Sequence, residues 1–240
     1  TEITRLRSEG FEISPENLGV ASDAHVTLDY HTKEDRAAFD RADHTSTGSG
    51  IKQTARDKYS RTGLNFQEFL DPNLMSNILK ERQGMSEAES KRLVSSYREE
   101  REFLERFSVL ENEVVNDSRN GFLFLEGAQG VMLDIDHGHY PGITSSHPSN
   151  PPYRPDVLLS VFKLYQSTVG DGDRATIGQL DADLEARLRD LWGERGTTTG
   201  RDRSLTWFDA VAGRYSVECT DPDYLAITCG DRMEALHKEG

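Results

Sequence analysis

The sequence predicts an α/β protein in which a mostly parallel central sheet is flanked by helices. Short apolar runs alternate along the chain with longer amphipathic stretches, and several of the runs end in turns rich in glycine, serine and threonine. This alternation is typical of layered α/β folds, in which helices cover a parallel sheet. We therefore interpret residues 1–240 as a single α/β domain with a helical subregion over about 51–120.

The hydrophobic pattern places the individual elements. Strands are predicted at 17–22, 122–125 and 224–228, and helices at 30–40, 177–195, 207–218 and 231–238. The run from Phe122 to Leu125 is apolar at every position, as is typical of a central strand buried on both faces. The segment 156–167 lacks clear alternation, so its type stays open. HPSNPPYRP (147–155) contains four of the eight prolines and is expected to be irregular.

Composition limits the classes of function. Lys and Arg number 28 against 42 Asp and Glu, and the resulting charge of −14 disfavours a nucleic acid polymer as a partner. No run approaches the roughly 18 apolar residues of a membrane span, and the first ten residues lack the apolar core of a signal peptide. The two cysteines, Cys219 and Cys229, do not form a disulfide framework, so a reducing cytoplasm is the expected location.

Three loops of small and hydroxyl-bearing residues are the candidate binding elements, namely STGSG (46–50), EGAQG (126–130) and TTTGR (197–201). Small residues let backbone amides approach a ligand, while hydroxyls and arginine bind phosphate or carboxylate oxygens. One such loop alone is an ordinary turn. Three of them between predicted elements indicate an anionic small-molecule site at the ends of strands.

DIDHGHY (134–140) concentrates potential metal ligands without predicting a metal site. If the segment is extended, Asp134 and Asp136 share one side and His137 and His139 the other. No second cluster of ligands accompanies them, so a transition-metal site is the weaker interpretation and no metal ligand is assigned. The sequence also lacks the common phosphate-loop and dinucleotide fingerprints.

Four segments stand out in order along the chain, at 28–50, 124–146, 196–209 and 225–236, and together they resemble motifs of the adenylosuccinate synthetase family. LDYHTKEDRAAFDRADHTSTGSG (28–50) resembles the family's helix and monophosphate loop, and FLEGAQGVMLDIDHGHYPGITSS (124–146) resembles its signature segment. GTTTGRDRSLTWFD (196–209) resembles its aspartate loop, and LAITCGDRMEAL (225–236) its guanine-reading turn. Residues 64–120 match only as a helical region. The resemblance implies the family's P-loop-NTPase-like fold, in incomplete form.

The resemblance implies a GTP-dependent ligase that joins L-aspartate to the 6-position of a purine nucleotide, converting IMP to adenylosuccinate in purine biosynthesis. Mg²⁺ is the implied cofactor, GTP the co-substrate, and a cytoplasmic homodimer the implied assembly. Two alternatives stay open. One is a phage-type relative that uses dGMP to make 2-amino-dN6-succinyl-AMP, and the other is a non-catalytic nucleotide-binding or partner-requiring protein.

The resemblance also implies a role for each matching residue. The implied contacts to the nucleotide monophosphate are Thr47, Gln129, Thr144 and, from the partner subunit of a dimer, Arg61. The implied contacts to aspartate are Thr198, Thr199 and Arg201. The implied contacts to GTP are Arg203 and Asp231, whose carboxylate accepts the guanine N1–H and N2–H groups.

Some family features have no counterpart in these residues. They are the glycine-rich phosphate loop, the catalytic Asp and His, and the magnesium contacts, so these groups are expected outside this chain and the chain alone is expected not to catalyse. Within the matching segments, Cys229 replaces a lysine that packs on the base, and Asp202 interrupts an arginine run. Both departures favour the non-catalytic alternative.

Overall fold

The computed structural model describes residues 2–39, 47–117, 121–150, 153, 155–169, 178, 180–196 and 200–238. The chain divides into two compact units. The first consists of Thr1–Asp35 and Ser49–Phe124, and the second of Arg36–Gly48 and Leu125–Gly240. The predicted α/β class is confirmed, since helices accompany strand pairs that are mostly parallel. None of the helices in the described ranges has the length and apolar character that crossing a membrane requires.

The first unit is mainly helical. Its helices are α1 (Glu2–Ser8), α2 (Asp29–Phe39, which ends in the second unit), α3 (Ile51–Tyr59), α4 (Phe66–Leu70), α5 (Pro72–Glu81), α6 (Glu87–Ser96), α7 (Arg98–Leu104) and α8 (Glu111–Asp117). Strand β1 (Val20–Ala21) pairs in parallel with β2 (Ser108–Val109).

Side-chain caps set where several of these helices begin. The Asn65 side chain accepts from the backbone of Glu68, whose carboxylate accepts from the Asn65 amide, so a capping box starts α4. Ser86 and Glu89 form the same arrangement at α6. Asp71 caps α5, where Pro72 occupies the first turn because no hydrogen bond is lost there. The helices enclose a core whose buried residues are Leu28, Leu64, Phe66, Phe69, Met75, Ile78 and Leu79.

The second unit contains the other two strand pairs formed by the described residues. Strand β3 (Leu159–Lys163) pairs in parallel with β6 (Tyr224–Thr228), and β4 (Tyr165–Val169) pairs antiparallel with β5 (Arg203–Trp207). The helices are α9 (Ala182–Trp192), α10 (Ala210–Thr220) and α11 (Gly230–Lys238). Lys163 opposes Thr228, so the carboxyl ends of β3 and β6 lie at one edge. The buried core here consists of Tyr165, Leu188, Trp192 and Leu205.

The prediction of a buried strand at 122–125 is wrong. These residues form no strand, and the Phe122 and Phe124 side chains are 105% and 85% exposed. A strand needs a neighbour that pairs with its backbone groups, and none of the strands in the described ranges pairs with this run. Apolar composition therefore identified a strand-like sequence but not a strand.

Other boundaries moved for local reasons. The helix predicted from 207 starts at Ala210, because Trp207 ends β5 and Asp209 caps the helix by accepting from the amides of Val211 and Ala212. The segment of open type, 156–167, contributes to two strands. The strand at 224–228 and the helix at 231–238 are confirmed, the latter beginning one residue earlier.

Candidate functional site

The loop that contains Thr47 ends in a tightly held glycine. Gly50 has φ 82°, and a Cβ there would lie 2.8 Å from the Thr32 amide nitrogen. The buried Asp35 carboxylate accepts from the Gly50 amide at 2.9 Å and from Gln53 Nε2 at 3.3 Å. Only glycine suits this conformation, which fixes the loop end where α3 begins. Thr47 itself is exposed.

A buried histidine and aspartate brace α3. The Leu28 amide donates to His31 Nδ1 at 2.9 Å, so His31 donates from Nε2 to Asp57, 3.0 Å away. Burial raises the pKa of Asp57, but hydrogen bonds from His31, Arg56 and Gln83 outweigh it and lower the pKa below its usual value.

Arg61 follows the last turn of α3. Its backbone amide donates to the Lys58 carbonyl at 3.0 Å, its φ is 64°, and its side chain is exposed. The contact of Arg61 with a nucleotide in the partner subunit stays a prediction.

The part of the signature segment that contains Asp134 and Gly138 folds into a turn, so the alternation of faces expected for an extended segment does not apply. Gly138 N donates to the Asp134 carbonyl at 2.8 Å, and a Cβ on Gly138 would lie 2.4 Å from that oxygen. Asp134 is fully buried and accepts four hydrogen bonds, from the amides of Asp136, His137 and Ser149 and from the Ser149 hydroxyl. Burial raises the pKa of Asp134, but these donors outweigh it and lower the pKa to about 2.

Thr144 and Gln129 lie on either side of this turn. The Thr144 amide donates to the Leu133 carbonyl at 2.7 Å, which folds the 143–146 segment back onto the turn, and its side chain is half-buried. Gln129 is exposed and has φ 64°. The backbone next to Asp134 therefore holds the Thr144 segment, and Gln129 precedes this turn in the sequence.

Asp134, Asp136 and His147 each place one potential ligand atom within 4.8 Å of the others. This group does not fit magnesium. Asp134 already accepts four hydrogen bonds, and Mg²⁺ prefers an octahedral shell of oxygen ligands to an imidazole nitrogen. The arrangement is a hydrogen-bonded turn, in which His147 Nδ1 lies 3.3 Å from the Asp136 carboxylate.

The predicted aspartate loop is closed at its neck. Gly196 N donates to the Arg201 carbonyl, and Gly200 N donates to the Gly196 carbonyl, each at 2.7 Å. Asp202 forms ion pairs with Arg189 at 3.4 Å and with Arg195 at 3.3 Å. Asp202, which interrupts the arginine run typical of the family, thus joins the base of this loop to α9. Arg201 is half-buried, whereas Thr198 and Thr199 lie outside the described residues.

The predicted guanine-reading turn joins a strand directly to a helix. After β6 ends at Thr228, Cys229 adopts φ 62° and α11 begins at Gly230. Asp231 is exposed in the first turn of α11. It follows the carboxyl end of a parallel strand, where α/β sheets bind ligands.

Glu194, which the sequence analysis did not identify, is a buried carboxylate that binds several side chains, among them that of Arg232 in the first turn of α11. Glu194 is 2% exposed and accepts from Lys163 at 2.8 Å, Arg203 at 2.8 Å and Arg232 at 2.5 Å, and from the Tyr165 hydroxyl. Burial raises its pKa, but the bonds from Lys163, Tyr165 and Arg203 outweigh it and lower the pKa to about 2. We call these five residues the Glu194 cluster.

The Glu194 cluster links Arg203 to the segment that contains Asp231, and these are the two residues predicted to contact GTP. Arg203 binds one carboxylate oxygen of Glu194, and Arg232, the chain neighbour of Asp231, binds the other. Of the other predicted residues, Thr47, Gln129, Thr144 and Arg201 belong to the same second unit, and Arg61 belongs to the first. The convergence of Thr47, Gln129 and Arg201 on one ligand stays a prediction.

Backbone strain coincides with the predicted site. The described residues other than glycine with positive φ are Arg61, Gln129, Asp221 and Cys229. Two of these are predicted monophosphate contacts, and Cys229 lies two residues before Asp231. Such conformations carry a cost of about 1–3 kcal/mol and cluster at functional sites.

Comparison with known proteins gives one consistent family. The family model described as adenylosuccinate synthetase matches residues 1–238. The adenylosuccinate synthetase of Trichormus variabilis is 36% identical over 256 residues, which cover 96% of this chain and 57% of the relative. That of Pelotomaculum thermopropionicum is 33% identical over 264 residues, which cover 99% and 60%.

A solved structure, that of fully ligated adenylosuccinate synthetase from Plasmodium falciparum, has the same fold. It matches with a TM-score of 0.80 at 22% identity and covers 96% of this chain and 59% of that chain. The chain therefore spans between 57% and 60% of the length of these relatives. On the match over residues 1–238, the chain belongs to the adenylosuccinate synthetase family.

Proposed function

We propose that the protein acts as a GTP-dependent ligase that joins L-aspartate to the 6-position of IMP, giving adenylosuccinate. Within the family, the proposal rests on one observation. Arg203 and Arg232, the chain neighbour of Asp231, bind the same buried carboxylate, that of Glu194. Two residues proposed for the same ligand are thereby held in one rigid part of the second unit. The strained backbone at Gln129 and Cys229 adds support.

The proposed reaction has two steps. The γ-phosphoryl group of GTP is transferred to the 6-oxygen of IMP while N1 of the purine loses its proton, and GDP is released. The aspartate amine then forms a bond to C6 as the C6–O bond breaks, inorganic phosphate leaves, and the amine loses its proton. The nucleotides and the dicarboxylate are anionic, so the site has to provide amides, hydroxyls and guanidinium groups that face them.

The residues of this chain bind and orient the reactants in this proposal. Thr47, Gln129 and Thr144 hold the IMP phosphate and place the purine. Arg201 pairs with an aspartate carboxylate, which turns the amine towards C6. Asp231 accepts the N1–H and N2–H groups of guanine, and adenine does not present this pair of donors, so GTP is selected over ATP.

Mg²⁺ would neutralise the triphosphate of GTP when bound, but the described residues do not form a site that fits it. The phosphate loop, the catalytic Asp and His and the magnesium ligands are proposed to be supplied from outside these 240 residues. A cytoplasmic location and a homodimer, in which Arg61 reaches the partner's nucleotide, belong to the same proposal.

A turnover assay tests the function directly. The full protein is incubated with GTP, Mg²⁺ and aspartate, and IMP or dGMP is offered in turn while ultraviolet absorbance follows succinylation. Turnover with IMP is the expected result. Turnover with dGMP alone identifies the phage-type reaction, and nucleotide binding without turnover on either substrate contradicts a ligase.

Asp231→Asn tests the guanine contact within that assay. The amide loses one acceptor and presents a donor to the base, so kcat/KM for GTP is expected to fall about 100-fold. Glu218→Gln removes one exposed charge from the neighbouring α10 and serves as the matched control, with no change expected. Equal effects of the two substitutions would contradict the role of Asp231.

A further inference from the structure

We propose that Glu194 is a positioning residue for the guanine-nucleotide part of the site, holding Arg203 and Arg232 in one fixed geometry beside Asp231. The inference rests on the proposed function for its ligand, but the arrangement itself belongs to the described residues. In this proposal Glu194 acts through the cations that it binds.

The geometry of the cluster leaves Arg203 little freedom. Its amide donates to the Glu194 carbonyl at 3.1 Å while its guanidinium binds Glu194 Oε2 at 2.8 Å. Backbone and side chain of one residue thus hold both ends of Arg203. An arginine fixed in this way loses less conformational entropy when it meets a ligand.

The first turn of α11 is held by the same group. Arg232 binds Glu194 Oε1 at 2.5 Å and also contacts the Tyr165 hydroxyl. The Arg232 carbonyl accepts from Trp192 Nε1 at 3.2 Å, and the Trp192 ring stacks on Tyr165 with centroids 4.4 Å apart. Since Asp231 directly precedes Arg232, the position of its carboxylate depends on these contacts.

The charge balance indicates more than a structural ion pair. Three cations, Lys163, Arg203 and Arg232, surround one carboxylate, and their side chains are 33%, 26% and 32% exposed. One cation is enough to neutralise a buried carboxylate. Three cations bind this one, so the cluster has two positive charges in excess, on side chains that are partly exposed. Such an excess, next to the turn proposed to read guanine, favours an anionic ligand.

The test compares two carboxylates that both hold β5. Glu194→Gln removes the charge that binds Arg203 and Arg232. Glu185→Gln is the matched control, because Glu185 accepts from the Leu205 amide and from Arg189, each at 2.9 Å, and is not among the residues that bind Arg203 or Arg232 in the described contacts. Both substitutions remove a carboxylate from the same unit.

Kinetics on the full protein give the first readout. Glu194→Gln is expected to raise the KM for GTP about tenfold and to lower the preference for GTP over ATP, while the KM values for IMP and aspartate change less than about twofold. Glu185→Gln is expected to leave all three KM values within about twofold. An unchanged KM for GTP in Glu194→Gln, or equal rises for all three substrates, would overturn the inference.

Nitrogen-15 spectra of arginine side chains give a second readout that needs no turnover. The guanidinium signals of Arg203 and Arg232, assigned with Arg203→Lys and Arg232→Lys, are expected to show slow rotation in the wild type and averaging in Glu194→Gln. If the wild type lacks turnover, the proposed function fails while these spectra still decide the role of Glu194. Slow rotation retained in Glu194→Gln would contradict it.

Glu194→Asp covers the case in which Glu194→Gln does not fold. The shorter side chain keeps the charge but cannot reach both arginines at their present distances. The KM for GTP is then expected to rise above that of Glu185→Gln, and equality between the two variants would overturn the inference.

Discussion

At the scale of single residues, two buried carboxylates each hold one local part of the second unit in place. Asp134 and Glu194 both remain ionised because several donors converge on each, and each has a pKa of about 2. The donors belong to distant parts of the chain, from Lys163 to Arg232 for Glu194. A single sequence gave no signal for this role, since Glu194 is one acidic residue in a polar loop.

Asp134 gives a prediction on stability and pH. Its pKa in the folded state is about 2, against 3.8 in the unfolded chain, so its contribution is present above about pH 4 and is lost as the pH falls towards 2. Asp134→Asn is expected to lower the free energy of unfolding by about 2–3 kcal/mol at pH 7, because an amide cannot accept from all four donors. Chemical denaturation measured from pH 7 to pH 2 checks both points.

Asp136→Asn is the control, since that carboxylate is 68% exposed and its loss is expected to cost less than about 0.5 kcal/mol. If the two variants unfold alike, or if the difference between wild type and Asp134→Asn does not shrink at low pH, the structural role of Asp134 is wrong.

Arg201 gives a prediction on substrate binding. Arg201→Ala removes the proposed partner of the aspartate carboxylate, so the KM for aspartate is expected to rise about 30- to 100-fold while the KM for GTP changes less than about threefold. Steady-state kinetics with each substrate varied in turn checks this. Arg195→Ala, which removes an exposed arginine at the loop neck, is the control, and equal weakening of aspartate and GTP by Arg201→Ala would refute the assignment.

At the scale of elements, local sequence signals predicted where some helices and strands lie, but they did not predict which strands pair. The strand at 224–228 and the helix after it follow from a short apolar run, a turn and an amphipathic segment. The run 122–125 is also apolar but has no partner among the described strands. Strand β5, RSLTW, was missed because its partner β4 lies more than thirty residues away in the sequence and its own pattern resembles a polar loop.

Substitution of Gly50 tests whether the start of α3 controls the loop that contains Thr47. Gly50→Ala places a methyl group 2.8 Å from the Thr32 nitrogen and 2.9 Å from Thr27, at φ 82°. We expect a loss of about 2–4 kcal/mol in the free energy of unfolding, together with weaker monophosphate binding through the Thr47 loop. Gly84→Ala is the control, because Gly84 has φ 70° but nothing within 4 Å, so only the backbone strain of about 1 kcal/mol remains.

Thermal unfolding of the two variants and calorimetric titration with IMP separate these contributions. Equal losses of stability in both variants would show that the contacts around Gly50 contribute nothing beyond its backbone conformation.

At the scale of the whole molecule, the proposed site includes a residue from a partner subunit. The chain covers between 57% and 60% of the length of its relatives, and Arg61 is proposed to act in the partner subunit's site. The resemblance supplied this architecture, because composition and periodicity contain no information about an assembly. The roles of the loops that contain Thr47, Gln129 and Arg201 likewise came from the family resemblance. Their small and hydroxyl-bearing residues alone indicated only an anionic ligand.

Mixed dimers test the shared site. Arg61→Ala and Arg201→Ala are each expected to be nearly inactive alone. If Arg61 acts across the interface, one site of each heterodimer is intact, so a re-equilibrated equal mixture is expected to recover about one quarter of the wild-type activity. Activity of the mixture is measured with each substrate near its wild-type KM, where a variant that binds a substrate weakly is nearly inactive, and a mixture no more active than its parents would rule out a shared site.

The convergence of the loops is tested most directly by a crystal structure of the full protein with IMP, GDP and aspartate. We expect Thr47, Gln129 and Thr144 within hydrogen-bond distance of the IMP phosphate or base, Arg201 paired with an aspartate carboxylate, and Asp231 on the guanine edge. Ligands bound elsewhere, with Thr47, Gln129 and Arg201 on separate surfaces, would contradict the proposed site.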